Sequence, residues 1–156
     1  MTPTETSLKN FQSDVDQWMA ENVPKNPGFL LPLTFLEVGT EQQLDFLRDW
    51  QHKLWSAGFL GMHWPTQYGG QGSDAAYQGV VDKALTAHNA PIIFNTIGLN
   101  WTGPLLLDVG TEEDRQRYIK NILTGDEIWC QGFSEPDHGS DLGNVQTKAV
   151  RDGDEC

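Results

Sequence analysis

The polar residues best suited to chemistry in this sequence are concentrated in one stretch, residues 134–141. The stretch reads Ser-Glu-Pro-Asp-His-Gly-Ser-Asp and follows a segment with the composition of a strand, a position where loops commonly hold ligands. Its two hydroxyls and its glycine can offer side-chain donors and closely approached backbone N–H groups to a phosphate or a heterocycle edge. The same residue types are ordinary in surface turns. The residues alone therefore leave a cofactor or anion loop and a plain turn as alternatives.

Other patterns in the sequence favour a structural interpretation. A serine, a histidine and an aspartate occur within the stretch, but hydrolase triads are normally assembled from distant positions by the fold. The turn at residues 69–72 matches neither G-x-G-x-x-G nor the phosphate loop, and no strand precedes it. His52 and His88 lack a second ligand at helical spacing, and Cys130 and Cys156 form no CxxC pair. We therefore expect no metal site, and reduced thiols.

Composition excludes several classes of partner. The 156 residues include 10 lysines and arginines against 22 aspartates and glutamates, a net charge of −12, which repels nucleic acid and anionic membranes. No apolar run approaches the roughly 18 residues that a membrane span requires, and residues 1–10 are polar. The sequence predicts a soluble cytoplasmic protein without nucleic-acid partners or a membrane span.

Helices must position this stretch, because apolar spacing of three and four residues dominates up to Gly125. Thr40 with Gln43 predicts a capping box, and Thr111 predicts a cap with acidic residues in the following turn. The glycine- and aromatic-rich residues 58–72 predict an ordered loop. Five helices are expected: one ending before Pro24, one from Thr40 to Gly58, one capped by Ser73 and ending before Pro91, one reaching Leu107, and one beginning at Thr111.

The pattern changes after Gly125. Residues 127–133 and 145–151 are short, aromatic or β-branched stretches that predict strands, separated by a loop rich in glycine, serine and aspartate. Asp152 and Gly153 are a hairpin-turn signal. Helices are therefore expected to give way to the beginning of a β-structure.

Four motifs occur in order along the chain. They are W-P-T-Q-Y-G-G at residues 64–70, G-T-E-E at 110–113, G-D-E at 125–127, and S-E-P followed by G-S-D at 134–141. Together they resemble the acyl-CoA dehydrogenase family. The resemblance implies a mainly α protein. Residues 1–126 would be an amino-terminal α-helical bundle, and residues 127–156 the truncated start of a flavin-binding, β-barrel-like middle domain.

The same resemblance assigns an FAD site. Its implied cofactor-binding residues are Gln131, Gly132, Phe133, Ser134, Gly139 and Ser140. The Ser134 hydroxyl, where threonine is commoner, would reach the isoalloxazine ring, and Ser140 would lie near the flavin diphosphate and the acyl-CoA substrate. Asp141 would order the loop. Asp137 and His138 depart from the small residues that many relatives have there.

The implied reaction is oxidation of an acyl-CoA to a 2,3-enoyl-CoA with hydride transfer to flavin, in fatty acid or lipid metabolism. The family's base is a glutamate from a carboxy-terminal domain beyond Cys156, so no catalytic residue is expected in this chain, which should be inactive alone.

An electron acceptor and, at full length, a homo-oligomer are also implied. Dehydrogenase and oxidase, and different acyl chain lengths, stay open. The alternative is a non-catalytic helical binding or interaction protein that retains half of the fold.

Overall fold

Helices build the part of the chain that positions the candidate stretch. A computed structural model describes residues 3–25 and 27–153. Short 3-10 turns lie at Phe35–Glu37, Thr66–Tyr68 and Leu142–Asn144, and a π-helical turn at Gly98–Thr102 runs directly into α4. The α-helices are α1 (Glu5–Asn22), α2 (Glu41–Ser56), α3 (Ala75–Ala87), α4 (Gly103–Val109) and α5 (Glu112–Thr124).

Two of the predicted helix caps form as the sequence indicates. The Thr40 hydroxyl accepts a hydrogen bond from the Gln43 amide, although the Gln43 side chain reaches Gly39 rather than Thr40, so the predicted capping box is only half formed. At α5 the box is complete, because Thr111 and Asp114 each bond the other's backbone N–H. Such caps satisfy backbone donors that the first helical turn leaves without partners.

The predicted cap of α3 is wrong by one residue. Asp74, not Ser73, is the N-cap, and its carboxylate accepts from the Ala76 amide at 2.9 Å. Ser73 is held in the preceding loop because its own N–H donates to the Met62 carbonyl at 2.7 Å. A contact distant in sequence therefore selected between two adjacent residues that are both good caps.

The core consists of two adjoining clusters. One joins α1, α2 and α3 through buried residues that include Met19, Trp50 and Val81. The other packs α5 against the loop that follows α2, through Trp64 and Ile122 among others. The apolar spacing of three and four residues places Leu47, Trp50 and Leu54 of α2 in the core, together with Ile119, Ile122 and Leu123 of α5.

The loop at residues 58–72 is ordered, as predicted. The Trp55 indole donates to the Gly69 carbonyl at 2.9 Å, and the buried Tyr68 donates to Glu112 at 2.6 Å. A Cβ on Gly70 would lie 2.3 Å from the Trp64 carbonyl oxygen, so only glycine fits there. These contacts hold the loop against α2 and α5.

The predicted strands do not form. Between residues 127 and 151, strand-type pairing is limited to one antiparallel bridge between Glu135 and His138. A strand requires a neighbour to satisfy its N–H and C=O groups, and these described residues supply no second extended segment alongside. The predicted turn leaves Gly153 with φ +63°, while the residues after it, including Cys156, lie outside the described part.

Among the helices of residues 3–25 and 27–153, none is both long enough and apolar enough to cross a membrane.

Candidate functional site

The approach to the candidate stretch begins at the end of α5. Gly125 closes the helix with φ +83°, a left-handed conformation that favours glycine. The buried Asn95 then holds the next residues, because its amide nitrogen donates to the Glu127 carbonyl at 2.9 Å and its oxygen accepts from the Trp129 amide at 3.2 Å. The chain therefore leaves the helical bundle along a defined line.

Side chains add a second anchor to this exit. Arg117 forms an ion pair with Glu127 at 2.6 Å, and its guanidinium lies 5.1 Å from the centre of the Tyr118 ring. Trp129 packs edge-to-face on Tyr118 with ring centres 5.3 Å apart. Aromatic pairs of this geometry add about 0.5–1.5 kcal/mol beyond burial. Residues 127–129 are thus fixed to α5 directly before the predicted site.

The predicted cofactor residues are exposed and only partly brought together. Three of them, Gly132, Phe133 and Ser134, line one concavity of about 360 Å³ with Leu142 and Val145 among its other walls. Gln131, Gly139 and Ser140 are exposed but do not line it. The structure therefore groups half of the predicted set.

The exposed segment carries unused hydrogen-bonding groups. Within residues 3–25 and 27–153, residues 131–134 make no hydrogen bond through backbone or side chain, and neither do Gly139 and Ser140. Phe133 presents an aromatic ring that is 66% exposed. Free N–H and hydroxyl donors beside an aromatic surface fit the polar edge and the flat rings of a flavin.

Glu135 closes the loop that contains the predicted residues. Its carboxylate accepts from the Gln146 amide at 2.8 Å, from the Thr147 amide at 2.6 Å, and from the Thr147 hydroxyl. Hydrogen bonding by the Thr147 side chain, followed by the Gln146 and Thr147 amides, lowers the pKa of Glu135 below its ordinary value of 4.5. The ionised carboxylate thus joins the two ends of residues 135–147.

The other charged residues of the stretch have separate positions. Asp137 and His138 line a second concavity, which they share with Pro136, Glu135, Gln146 and Thr147. Asp141 accepts a hydrogen bond from the Asn144 side chain at 2.6 Å, in keeping with the expected loop-ordering role. Among the described residues, His, Cys, Asp and Glu form no cluster suited to a metal ion.

Sequence reasoning missed two cavities in the helical part. One, of about 290 Å³, lies between the loop after α2, α3 and the π-turn, and the second, of about 480 Å³, shares Asp82, Ile93 and Thr96 with it. π-turns occur frequently at functional sites. The glycine pair Gly98 and Gly103 is a sequence signal for the π-turn, whose Leu99 and Asn100 line the first cavity.

Asn95 was also missed. Its partners lie 27 to 34 residues away along the chain, and a lone asparagine carries no sequence motif. The local signal is its position four residues after Pro91, in a break between helices.

Comparison with known proteins identifies relatives of this chain. The family described as "Acyl-CoA dehydrogenase, N-terminal domain" matches residues 8–126. The acyl-CoA dehydrogenase IpdE1 of Mycolicibacterium smegmatis is 36% identical over 148 residues, which are 94% of this chain and 37% of the relative. FadE26 of Mycobacterium tuberculosis is 40% identical over 98 residues, 63% of this chain and 24% of the relative.

Solved structures agree with the sequence relatives. The Tcur3481-Tcur3483 steroid ACAD G363A variant superposes with a TM-score of 0.74 at 31% identity, over 97% of this chain and 38% of that chain. The ChsE4-ChsE5 complex from Mycobacterium tuberculosis gives a TM-score of 0.70 at 25% identity, over 99% of this chain and 36% of that chain. This chain thus spans somewhat more than a third of the proteins that it matches over nearly its whole length.

The helical arrangement, the ordered loop at residues 58–72 and these matches agree with one another. The family match covers α1 from Leu8 onward and all the later helices through α5. This chain belongs to the acyl-CoA dehydrogenase family and contains its mainly helical amino-terminal domain.

Proposed function

We propose that this chain is the amino-terminal part of an FAD-dependent acyl-CoA dehydrogenase, with residues 131–140 lying along the flavin. The observation that carries the proposal is the exposed segment at residues 131–134, whose donors have no partner within the described residues and which follows a firmly anchored exit from α5. In this role the Ser134 hydroxyl donates to the isoalloxazine ring, and Ser140 lies near the flavin diphosphate and the acyl-CoA. Residues 1–126 form the helical domain and residues 127–156 begin the middle domain.

The reaction proposed for the whole enzyme is the oxidation of an acyl-CoA. The substrate loses a proton from carbon 2 and a hydride from carbon 3, and it becomes a 2,3-enoyl-CoA. Flavin supplies the hydride acceptor when bound, and a separate electron acceptor later reoxidises it. We assign no catalytic residue to this chain and place the base on a glutamate beyond Cys156.

Assembly with a chain of the same fold is part of the proposal. The names of two similar structures each join two components, Tcur3481-Tcur3483 and ChsE4-ChsE5. A related or identical dehydrogenase chain is therefore the proposed partner, in the cytoplasm. Native mass spectrometry of the whole enzyme would distinguish a homo-oligomer from a mixed assembly.

Flavin retention tests the proposal directly. The purified chain is mixed with FAD, desalted and examined by visible absorbance, and the affinity is then measured by flavin fluorescence. We expect the wild-type chain to retain flavin. Ser134→Ala should weaken binding by about fivefold to tenfold, as expected for loss of one hydrogen bond of about 1 kcal/mol.

Ser13→Ala is the matched control, because Ser13 is an exposed serine on α1 and its replacement should leave flavin binding unchanged. Failure of the wild-type chain to retain flavin would refute the idea that residues 131–140 suffice for a cofactor site. Equal effects of the two substitutions would refute the role assigned to Ser134.

One observation favours the alternative of a non-catalytic interaction protein. Trp101, Leu105 and Val109 lie at four-residue spacing on the π-turn and α4, and each is more than half exposed. Exposed apolar ridges often mark protein contacts. Stable folding without flavin, together with a defined complex that Leu105→Lys abolishes, would support this alternative.

A further inference from the structure

Asn95 is a buried amide whose hydrogen bonds reach across the fold. Its side-chain nitrogen donates to the Ile122 carbonyl at 3.0 Å and to the Glu127 carbonyl at 2.9 Å, which uses both N–H groups. Its side-chain oxygen accepts from the Trp129 amide at 3.2 Å. The residue is completely buried, so water cannot replace these partners.

The surroundings hold this side chain in one orientation. A Cβ on Gly98 would lie 2.5 Å from the Asn95 side-chain oxygen, so glycine at that position leaves the space that the amide occupies. The Asn95 carbonyl in turn accepts from the Leu99 amide at 2.9 Å, at the entrance to the π-turn. The amide is therefore supported by the same turn whose Leu99 and Asn100 line the cavity of about 290 Å³.

The partners of Asn95 determine how the chain leaves the bundle. Glu127 and Trp129 are separated by one residue, and Asn95 bonds the carbonyl of the first and the amide of the second. Ile128, between them, points outward and is 45% exposed. The amide therefore supplies both a donor and an acceptor to this segment and holds its position two residues before Gln131.

We propose that Asn95 is the positioning residue for the flavin segment, acting through residues 127–129; this inference rests on the function proposed above. It does not touch the predicted cofactor residues. Its effect is to fix the point from which residues 131–134 extend. Preorganisation of this kind strengthens binding because the segment does not have to be ordered when the ligand arrives.

Gln51 provides a matched control within the same molecule. It is also a completely buried amide, and its nitrogen donates to the carbonyls of Ile122 and Leu123 at 2.9 and 3.0 Å. It makes no hydrogen bond to residues 127–129 within the described chain. Asn95→Leu and Gln51→Met make the same chemical change, since each replaces a buried amide by an apolar side chain of similar size.

The first measurement is amide hydrogen exchange of the flavin-free chain, followed by NMR. In the wild-type chain we expect the Trp129 amide to exchange at least about tenfold more slowly than the exposed Cys130 amide, because only the former donates to a buried acceptor. Asn95→Leu removes the acceptor of the Trp129 amide and should remove this difference, whereas Gln51→Met should keep it.

The second measurement is FAD affinity. Asn95→Leu should weaken it at least about tenfold relative to Gln51→Met, the range expected when a buried hydrogen bond is lost. Absence of Trp129 protection in the wild-type chain would overturn the inference even if the variants fail to fold. Equal effects of the two variants on exchange or on affinity would also overturn it. If the wild-type chain binds no flavin, the cofactor proposal fails, while an exchange difference specific to Asn95 still supports its positioning of this segment.

Discussion

Replacement of Gly103 by alanine tests how closely α4 packs on the loop after α2. A Cβ at this position would lie 2.1 Å from the Cη2 atom of Trp64 and 2.9 Å from the Gly98 carbonyl oxygen. Trp64 is only 2% exposed, and Leu60 and Ile122 are among the residues of its cluster. Trp64 lines the cavity of about 290 Å³, but the close-packed cluster to which the ring belongs resists a shift toward that cavity.

The expected magnitude combines two opposing effects. Alanine is favoured over glycine inside a helix by about 0.5–1 kcal/mol. Overpacking a filled core costs about 1–3 kcal/mol, and a contact of 2.1 Å against a buried ring belongs at the upper end of that range. We therefore expect Gly103→Ala to lower the free energy of unfolding by about 2 kcal/mol, and Tm by about 4–8 °C for a domain of this size.

Gly79→Ala is the control with the opposite expected sign. Gly79 lies within α3, is exposed, and has no heavy atom within 4 Å of its ideal Cβ position. Its replacement should raise the free energy of unfolding by about 0.5–1 kcal/mol. Both variants are measured by urea unfolding, followed through tryptophan fluorescence and far-UV circular dichroism. A Gly103→Ala chain as stable as the wild type would refute the close packing of α4 on Trp64.

Three further outcomes are expected. Thr111→Ala removes the N-cap of α5 and should lower the free energy of unfolding by about 1 kcal/mol in urea denaturation; an unchanged midpoint would contradict the capping geometry. Hydrogen bonds from Gln116 and, second, from Tyr68 lower the pKa of Glu112. Tyr68→Phe removes one of them, so an NMR titration should show the pKa of Glu112 moving up toward its ordinary value of 4.5. Hydrogen bonds lower the folded-state pKa values of Glu112, Asp114 and Glu135, so these carboxylates stabilise the fold when they are ionised. Their contribution is complete above the ordinary pKa values of 4.5 for glutamate and 3.8 for aspartate, and it is lost as pH falls through the lowered pKa values of the folded state. Tm should therefore decrease on acidification in that range, and a flat profile would argue against these contacts.

Local sequence accounted for the helices because their signals lie within a few residues of one another. The Thr111–Asp114 cap and the apolar face of α5 are encoded inside four- to thirteen-residue windows, and both appear in the fold. The family could be recognised for a related reason, since its four motifs are short and occur in order. The domain boundary at residue 126 and the roles of Ser134 and Ser140 stay predictions.

Tertiary structure decided what depends on a partner distant in sequence. Asp74 rather than Ser73 caps α3 because Ser73 is held by Met62. The predicted strands at 127–133 and 145–151 do not form among the described residues, because β-pairing requires a second extended segment that composition cannot guarantee. Asn95 directs the segment after α5 through partners up to 34 residues away. Periodicity and caps are local properties that a sequence determines by itself, whereas hydrogen bonds between distant residues exist only once the chain has folded.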